Sequence, residues 1–481
     1  MLSRSPIPLF TAIFGLRLFL ALSTSGFLGV DGGAYLLSAL SVQGLESTGT
    51  DFMRPPLAPG WLLVPFLSLG EWTTGFNVYS AVFSMPLVIA AYYVTRSLMG
   101  VGTAYVVTFL VAFDWVLMGM VVTGVVPLTG FAFVLIASWG MWKLSAQPSK
   151  AAWAITAAAI PMIMLTNQTA TGLAALILPI QWLLLPNKRR IASALALGAL
   201  LALPFLGWYL DASPGSGKLN YPGAIVMPHA WWEHQLMVGI GVLYLLFELR
   251  HKLDHPTTPP WVRAAAFVVG FLALLQMLQS HNEVLQNLMF RATYLMMPFF
   301  WLLVVYFFAL PVMKWYRNVR WAPVATSVAL ALFVGVSVQQ FADQRWLSAF
   351  ADDDIVATAQ DIPPDAGRVV TNAYSMALYV AAVAQQPVLW TNYIEPATYY
   401  TQDDLDARCT LGWVDGCGPA EGVTHVLIDE KWPIVHSLWP TRGPYGAPET
   451  IPWGRLADVP WLTLVETHGT TKLYEVREER S

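Results

Sequence analysis

Apolar residues gather into long runs separated by short polar gaps, the pattern of helices that cross a bilayer. Eleven runs stand out, at about 8-28, 77-96, 103-121, 125-142, 152-166, 169-185, 191-210, 232-249, 264-279, 293-311 and 322-340. Several are shorter than the ~20 residues that span a hydrocarbon core. The runs 152-166 and 169-185 are separated only by Thr166-Asn167-Gln168-Thr169. They are expected to be two segments, because one continuous helix would put Lys150 and Lys188 on opposite sides of the membrane. The gap after the first run, about 29-76, is too long and too patterned for a plain connector. Gly33 to Leu45 carries an apolar face at helical spacing, and Leu57 to Leu69 follows Pro55-Pro56, the residue type suited to a first helical turn. Both are too short or too broken to be clean spans, so they are expected to lie in the interface over about 32-70.

From about Asp343 the pattern changes. Arg368 to Asn372, Val388 to Trp390, His425 to Asp429 and Leu462 to Glu466 predict short buried strands, and Ser375 to Ala384 a helix. Lys472 to Val476 is expected as a final edge strand. The fold class that follows is a polytopic α-helical membrane protein of about eleven spans with a small C-terminal α/β domain. The expected division is 1-340, including the interfacial helices, and 341-481.

Charge orients this arrangement. Arg96, Lys143 with Lys150, Lys188-Arg189-Arg190, Arg250 with Lys252 and Arg263, and Lys314-Arg317-Arg320 occupy alternate gaps. The gaps between them hold only Arg54, Lys218 and Arg291. Positive residues stay on the cytoplasmic side, so the N-terminus is expected inside. An odd number of spans then puts the C-terminal domain and the first long loop outside. The first run is read as span one, since Leu28-Gly29-Val30-Asp31 is no small-x-small cleavage site.

The 481 residues are 56% hydrophobic and only 12% charged, half the charge of a soluble domain. No concentrated basic face exists to displace counterions, which argues against a nucleic-acid partner. The two cysteines, Cys409 and Cys417, both fall in the C-terminal region. An oxidising compartment would join them as a disulfide; free thiols are the alternative, and no CxxC or neighbouring His pattern supports a metal site.

The outer loops hold the candidate chemistry. Asp31, in Val30-Asp31-Gly32-Gly33-Ala34-Tyr35, is a carboxylate beside glycines that could accept a proton from a substrate. It could equally cap the helix that follows, and the two roles are compatible. Arg54 could grip a phosphate in two-pronged fashion, anchor to head groups or pair with Asp51. Arg291 stands at the lip of the bundle, where a charge is costly unless paired or working; a phosphate, Glu283 or Asp31 would each serve. Lys218 is a similar but more freely hydrated cation. His281 and Glu283, like His229, Glu233 and His234, are mainly polar loop. Asp114, near the outer end of the third run, and Asn167, Gln168 and Thr169 could line a cavity or bond helix to helix. Asp31 has no adjacent acid, so a divalent metal there is possible but not supported by a paired-acid motif, and no other cofactor is expected. No P-loop, GxSxG or HExxH occurs.

With these residues assembled, the sequence resembles the GT-C membrane glycosyltransferases, nearest the protein O-mannosyltransferase and lipid A aminoarabinose transferase branch. The resemblance rests on Asp31-Gly32-Gly33-Ala34-Tyr35, then Gly44, then Arg54-Pro55-Pro56-Leu57-Ala58-Pro59, and on Phe290-Arg291-Ala292-Thr293-Tyr294-Leu295-Met296-Met297-Pro298. The sequence departs from the pattern at Gly32, where many relatives carry a second acid, and at Ala58, where an aromatic is usual. A third departure is Val125-Val126-Pro127-Leu128, where an acid often precedes Pro-Leu. The resemblance implies an inverting transfer at the plasma membrane from a polyprenyl-phosphate sugar to a lipid, glycan or protein acceptor. It also implies Asp31 as base, Arg291 with Arg54 or Lys218 on the donor phosphate, and Tyr35, Asp114, His281 and Glu283 around the cavity. The competing readings are a polymerase or ligase of lipid-linked glycans, a transporter, and a non-catalytic membrane scaffold.

Overall fold

The computed structural model describes residues 5-23, 27-28, 32-43, 58-114, 117-118, 127-211, 258-278, 283-309, positions within 324-339, and 349-351. In the C-terminal region it describes 353-371, 374-390, 402-414, 416-430 and 453-477. The expected span 232-249 lies outside these residues. By internal packing the chain forms two compact units. One comprises Met1–Phe19, Ser80–Ala212 and His229–Gln344, and the other Leu20–Tyr79, Ser213–Pro228 and Arg345–Ser481.

The first unit is helical. Helix α1 (Ile7–Leu22) begins the chain. Strand β1 (Phe27–Leu28), α2 (Gly32–Val42), α3 (Ala58–Leu67) and most of α4 (Trp72–Phe83) belong to the second unit, and the first resumes with the end of α4 and α5 (Met85–Met99). Then come α6 (Val101–Phe113), α7 (Pro127–Ala146), α8 (Lys150–Thr166), α9 (Gln168–Leu184), α10 (Lys188–Asp211), α11 (Pro260–Leu278) and α12 (Glu283–Val304). A π-helical turn, Val305–Ala309, extends α12. Among the described residues three stretches are long and apolar enough to cross a membrane: Trp72–Met99, Leu128–Ala146 and Lys188–Leu206. Six shorter apolar helices accompany them, and these coincide with expected runs.

The helix ends have identifiable causes. Pro86 has no N–H to donate, and the helix is interrupted at Ser84. Carbonyls at that interruption find side-chain donors: Thr129 Oγ1 donates to Phe83 O at 2.7 Å and Arg17 to Ser84 O at 2.7 Å. Arg17 also donates to Ala112 O, at 2.9 Å, near the end of α6. One buried guanidinium therefore ties α1 to two helix termini. The polar stretch Thr166-Asn167-Gln168-Thr169 does break the helix. Asn167 is extended, and its Oδ1 accepts from Ala170 N at 2.9 Å, capping α9. That buried capping role accounts for the asparagine without a cavity. Where α7 meets α8, a Cβ on Gly140 would stand 2.1 Å from Thr156 Oγ1. Small residues admit this close approach, as is usual between apolar helices.

The second unit contains a two-stranded ladder and a five-stranded sheet. Strand β2 (Ala349–Ala351) pairs antiparallel with β1, Phe27 opposite Ala351 and Leu28 opposite Ala349. Helix α13 (Asp353–Gln360), β3 (Arg368–Thr371), α14 (Tyr374–Ala384), β4 (Val388–Trp390), α15 (Gln402–Thr410) and β5 (Val423–Asp429) follow. A 3₁₀ turn (Trp453–Asp458), β6 (Leu462–His468) and β7 (Thr471–Val476) complete the unit. Strand order is β4-β3-β5-β7-β6; β3 runs parallel to β4 and β5, while β7 runs antiparallel to β5 and β6. The expected strands are present with one correction: β7 is not the edge. The tight turn at Gly469, φ +55°, folds β6 back on the outside of β7, so β6 takes the edge and leaves Leu464 and Val465 about half exposed. Val370, Val426, Ile428, Leu411, Leu456 and Tyr474 form the core under this sheet.

Candidate functional site

The segment around the candidate acid is built by the second unit. Asp31 lies outside the described residues, but the elements on each side of it are described: β1 ends at Leu28, and α2 begins at Gly32. The apolar face expected between Gly33 and Leu45 is buried, with Leu36, Ala39 and Leu40 inside and Tyr35 buried beside them. Helix α14 packs along α2 and also touches β2. Helix α3 also packs on α2, at an approach so close that a Cβ on Gly60 would stand 2.4 Å from Ser38 Cβ.

The start of α4 fits equally tightly against the end of α3. A Cβ on Gly75 would lie 2.2 Å from the Phe66 carbonyl oxygen. Aromatic rings join these helices: Phe66 meets Tyr79 edge-on at 5.5 Å, and Phe76 meets Tyr379 of α14 edge-on at 6.4 Å. Tyr379 is fully buried.

In the first unit Asp114 is 1% exposed. One carboxylate oxygen accepts from Leu117 N at 3.1 Å, starting the next turn, and the other accepts from Trp301 Nε1 at 2.8 Å. Of the two roles expected for Asp114, cavity lining or a helix-to-helix bond, the structure shows the bond, to the indole of the helix that carries Arg291. Arg291 and Glu283 both lie in α12. The expectation of a short outer loop running up to Arg291 is corrected, since α12 starts at Glu283 and Arg291 is two turns inside it. The sequence Glu283-Val284-Leu285-Gln286-Asn287-Leu288-Met289 has no Gly or Pro to stop a helix there. Arg54, Lys218 and His281 lie outside the described residues.

Cys409 and Cys417 are joined as a disulfide, which settles the alternatives left open for them. It closes the turn after α15, where Trp461 Nε1 donates to Thr410 O at 2.8 Å and Ala420 N donates to Thr410 Oγ1 at 3.0 Å. On β5, Thr424 Oγ1 accepts from Gly367 N at 2.9 Å and meets His425 Nδ1 at 2.9 Å. Burial holds the His425 pKa below its usual value, against the opposing pull of Glu475 and Asp365. Among the described residues no three His, Cys, Asp or Glu side chains converge to hold a metal ion.

Comparison with known proteins bears on this arrangement. No family model matches the sequence, and no curated protein matches it. Solved structures do match its fold. ArnT from Cupriavidus metallidurans, bound to undecaprenyl phosphate, is 12% identical and superposes with a TM-score of 0.56 over 98% of this chain and 97% of that one. The arabinofuranosyltransferase AftD from Mycobacteria is 14% identical, TM-score 0.56, over 99% of this chain and 42% of that much longer one. The Archaeoglobus fulgidus oligosaccharyltransferase, complexed with Zn and sulfate, is 11% identical, TM-score 0.55, over 89% and 69%. The chain has the GT-C fold. Helices α2 and α3 cover the two helical stretches expected after the first run, and α12 contains Phe290 to Pro298.

Sequence reasoning missed three features. Arg17 carries no role in the sequence reading, yet it is buried and bonded to two helix ends. Its single charge inside an otherwise apolar run, Ile7 to Leu22, was the available signal. The Asp114–Trp301 bond and the Tyr379–Phe76 contact join residues 187 and 303 positions apart, and no local pattern announces them.

Proposed function

We propose that this chain is an inverting glycosyltransferase that moves a sugar from a polyprenyl-phosphate carrier to a hydroxyl or similar acceptor group on the extracytoplasmic side of the plasma membrane. The observation that carries the reading is the GT-C fold, matched over 98% of the chain to a protein solved with undecaprenyl phosphate, in a sequence that places Asp31 immediately before α2. The Cys409–Cys417 disulfide supports an oxidising, extracytoplasmic location for the C-terminal unit. The alternation of basic gaps supports a cytoplasmic N-terminus.

In this reading the acceptor oxygen attacks the anomeric carbon from the face opposite the phosphate. The new oxygen–carbon bond forms as the bond from carbon to phosphate oxygen breaks. Asp31 takes the acceptor proton, and the departing polyprenyl phosphate carries away the electron pair as a dianion. Arg291, with Arg54 and Lys218, stabilises that growing charge, the kind of term on which such reactions chiefly depend.

The test is transfer from a labelled undecaprenyl-phosphate sugar panel to a membrane extract, using protein purified in detergent. A positioned carboxylate base contributes ~10²-10⁴-fold. Asp31→Asn is therefore expected to lose at least ~10²-fold in turnover while still binding undecaprenyl phosphate. Equal turnover by wild type and Asp31→Asn would remove Asp31 from the base role. Absence of transfer from every donor by active-site-intact protein would favour the scaffold or transporter reading.

A further inference from the structure

We infer that the basic end of the helical unit holds a phospholipid with two phosphates, of the diphosphatidylglycerol type. The inference goes beyond the proposed transfer and does not depend on it. Two turns meet at this end. Lys143 and Lys150 flank the turn from α7 to α8, and the turn from α9 to α10 leads into Lys188-Arg189-Arg190. Asn187 ties the turns together: its Nδ2 donates to Ser145 O at 2.8 Å, from a backbone held at φ +59°. Two more bonds draw in neighbouring helices. Trp153 Nε1 of α8 donates to Ser193 Oγ of α10 at 2.9 Å. Trp139 Nε1 of α7 donates at 3.1 Å to Ser97 Oγ of α5, the residue next to Arg96. Arg96, Lys150, Lys188, Arg189 and Arg190 are exposed, and Lys143 is half-buried. None of them meets a carboxylate among the described residues. Between Glu71 and Asp211 the sequence holds a single acid, Asp114. It stands at the far end of α6, a helix of 13 residues, ~20 Å from the Arg96 end.

The topological bias of membrane proteins asks only that such cations share a side. It does not ask that two turns be pinned together, each with its own set of cations. A head group with one phosphate for each turn answers that arrangement, since phosphate oxygens accept charged hydrogen bonds from Lys and Arg. Trp139, Trp153 and Trp182 lie half-buried within two turns of the cations, each with its indole N–H bonded, Trp182 to Lys188 O at 3.0 Å. Indoles in such positions mark the depth of the head groups. Exposed apolar side chains continue the surface for acyl chains: Ile155 on α8, Leu183 on α9, and Leu200 and Leu203 on α10. Of the three long apolar stretches among the described residues, the one in α10 is the least buried.

Native mass spectrometry of the full chain, released from micelles doped with one lipid at a time, tests the inference. The lipids are diphosphatidylglycerol, phosphatidylglycerol and phosphatidylethanolamine. Wild type is expected to retain diphosphatidylglycerol saturably, at least ~10-fold more tightly than phosphatidylglycerol. Lys188→Gln, Arg189→Gln and Arg190→Gln combined should weaken retention ~10²-fold. Asn187→Gly accepts the left-handed turn and keeps every charge, but removes the tie; a loss of ~5-fold is expected. Arg477→Gln, at the end of β7, should change nothing, and excess inorganic phosphate should not displace the lipid. Equal retention of either other lipid, displacement by inorganic phosphate, or wild-type retention by the triple or the Asn187→Gly variant would each overturn the inference. If the triple variant does not fold, Asn187→Gly and the lipid panel still decide. A chain that holds the lipid but transfers no sugar counts against the proposed function alone.

Discussion

Replacing Gly75 with alanine tests the packing of the first-loop helices directly. A methyl group at Gly75 would lie 2.2 Å from Phe66 O, 2.8 Å from Phe66 C and 3.2 Å from Leu67 Cα. Ordinary carbon contacts sit at ~3.5–4.0 Å, so α3 and α4 must separate by about 1 Å. All three atoms belong to the backbone, and no rotamer change relieves them. Overpacking of this kind costs ~1–3 kcal/mol, and the rigid neighbours put Gly75→Ala near the upper figure. Alanine returns about 1 kcal/mol through its higher helix propensity. The net expectation is a loss of about 2 kcal/mol. In a unit of this size such a loss lowers the melting temperature by about 4–8 °C. The control is Gly15→Ala in α1, where an added Cβ meets nothing within 4 Å and propensity alone acts. Thermal unfolding of the purified variants in detergent, read by tryptophan fluorescence, provides the assay. A Gly75→Ala protein that melts at or above wild type would refute the packing argument.

Other changes follow from the same structure. Asp114→Ala removes a helix-starting acceptor and leaves the Trp301 indole N–H without its carboxylate; a loss of about 2–4 kcal/mol is expected in denaturant unfolding, and Asp114→Asn should retain part of it. Cys409→Ser with Cys417→Ser opens a loop of separation 8, for which chain entropy alone predicts a loss of about 2–3 kcal/mol, measurable as earlier proteolysis of the C-terminal unit. His425 has its pKa lowered by burial, so the unfolded chain binds more protons than the folded one as pH falls through about 6.5. The His425 contribution to stability is thus present above that pH and lost below it. His425→Gln should flatten the fall of the melting temperature between pH 7 and pH 5, and an unchanged slope would assign the effect to other groups.

Much of the fold is legible in the sequence because its signals are local. Length and apolarity of the runs place α7, α8, α9, α10 and α11 within a few residues of expectation. The short apolar stretches place β3, β4, β5 and β6 in the same way. Asn167 marks a break because its own side chain can replace a lost backbone partner. The motifs around Asp31 and Arg291 stand out as candidates, since the residue types able to handle a proton or a phosphate are few. Other features escaped for a physical reason. Strands β1 and β2 have two and three residues, too short for any alternation, and exist only because each supplies the other's ladder. Edge or interior position in a sheet depends on how a hairpin folds, and β6 and β7 share the same local character.

The sequence by itself determined that this is a many-helix membrane chain with its candidate acid in the first long loop and a strand-rich C-terminal segment. Hydrophobic length, charge bias and side-chain chemistry act within a few residues of one another, so they can be read in order along the chain. Only the tertiary structure decided that residues 20–79 and 345–481 form one compact unit, that Asp114 serves Trp301, and that Arg17 closes two helix ends. Those outcomes depend on which surfaces meet after the chain has collapsed, and contact between residues hundreds of positions apart leaves no periodic trace in either partner.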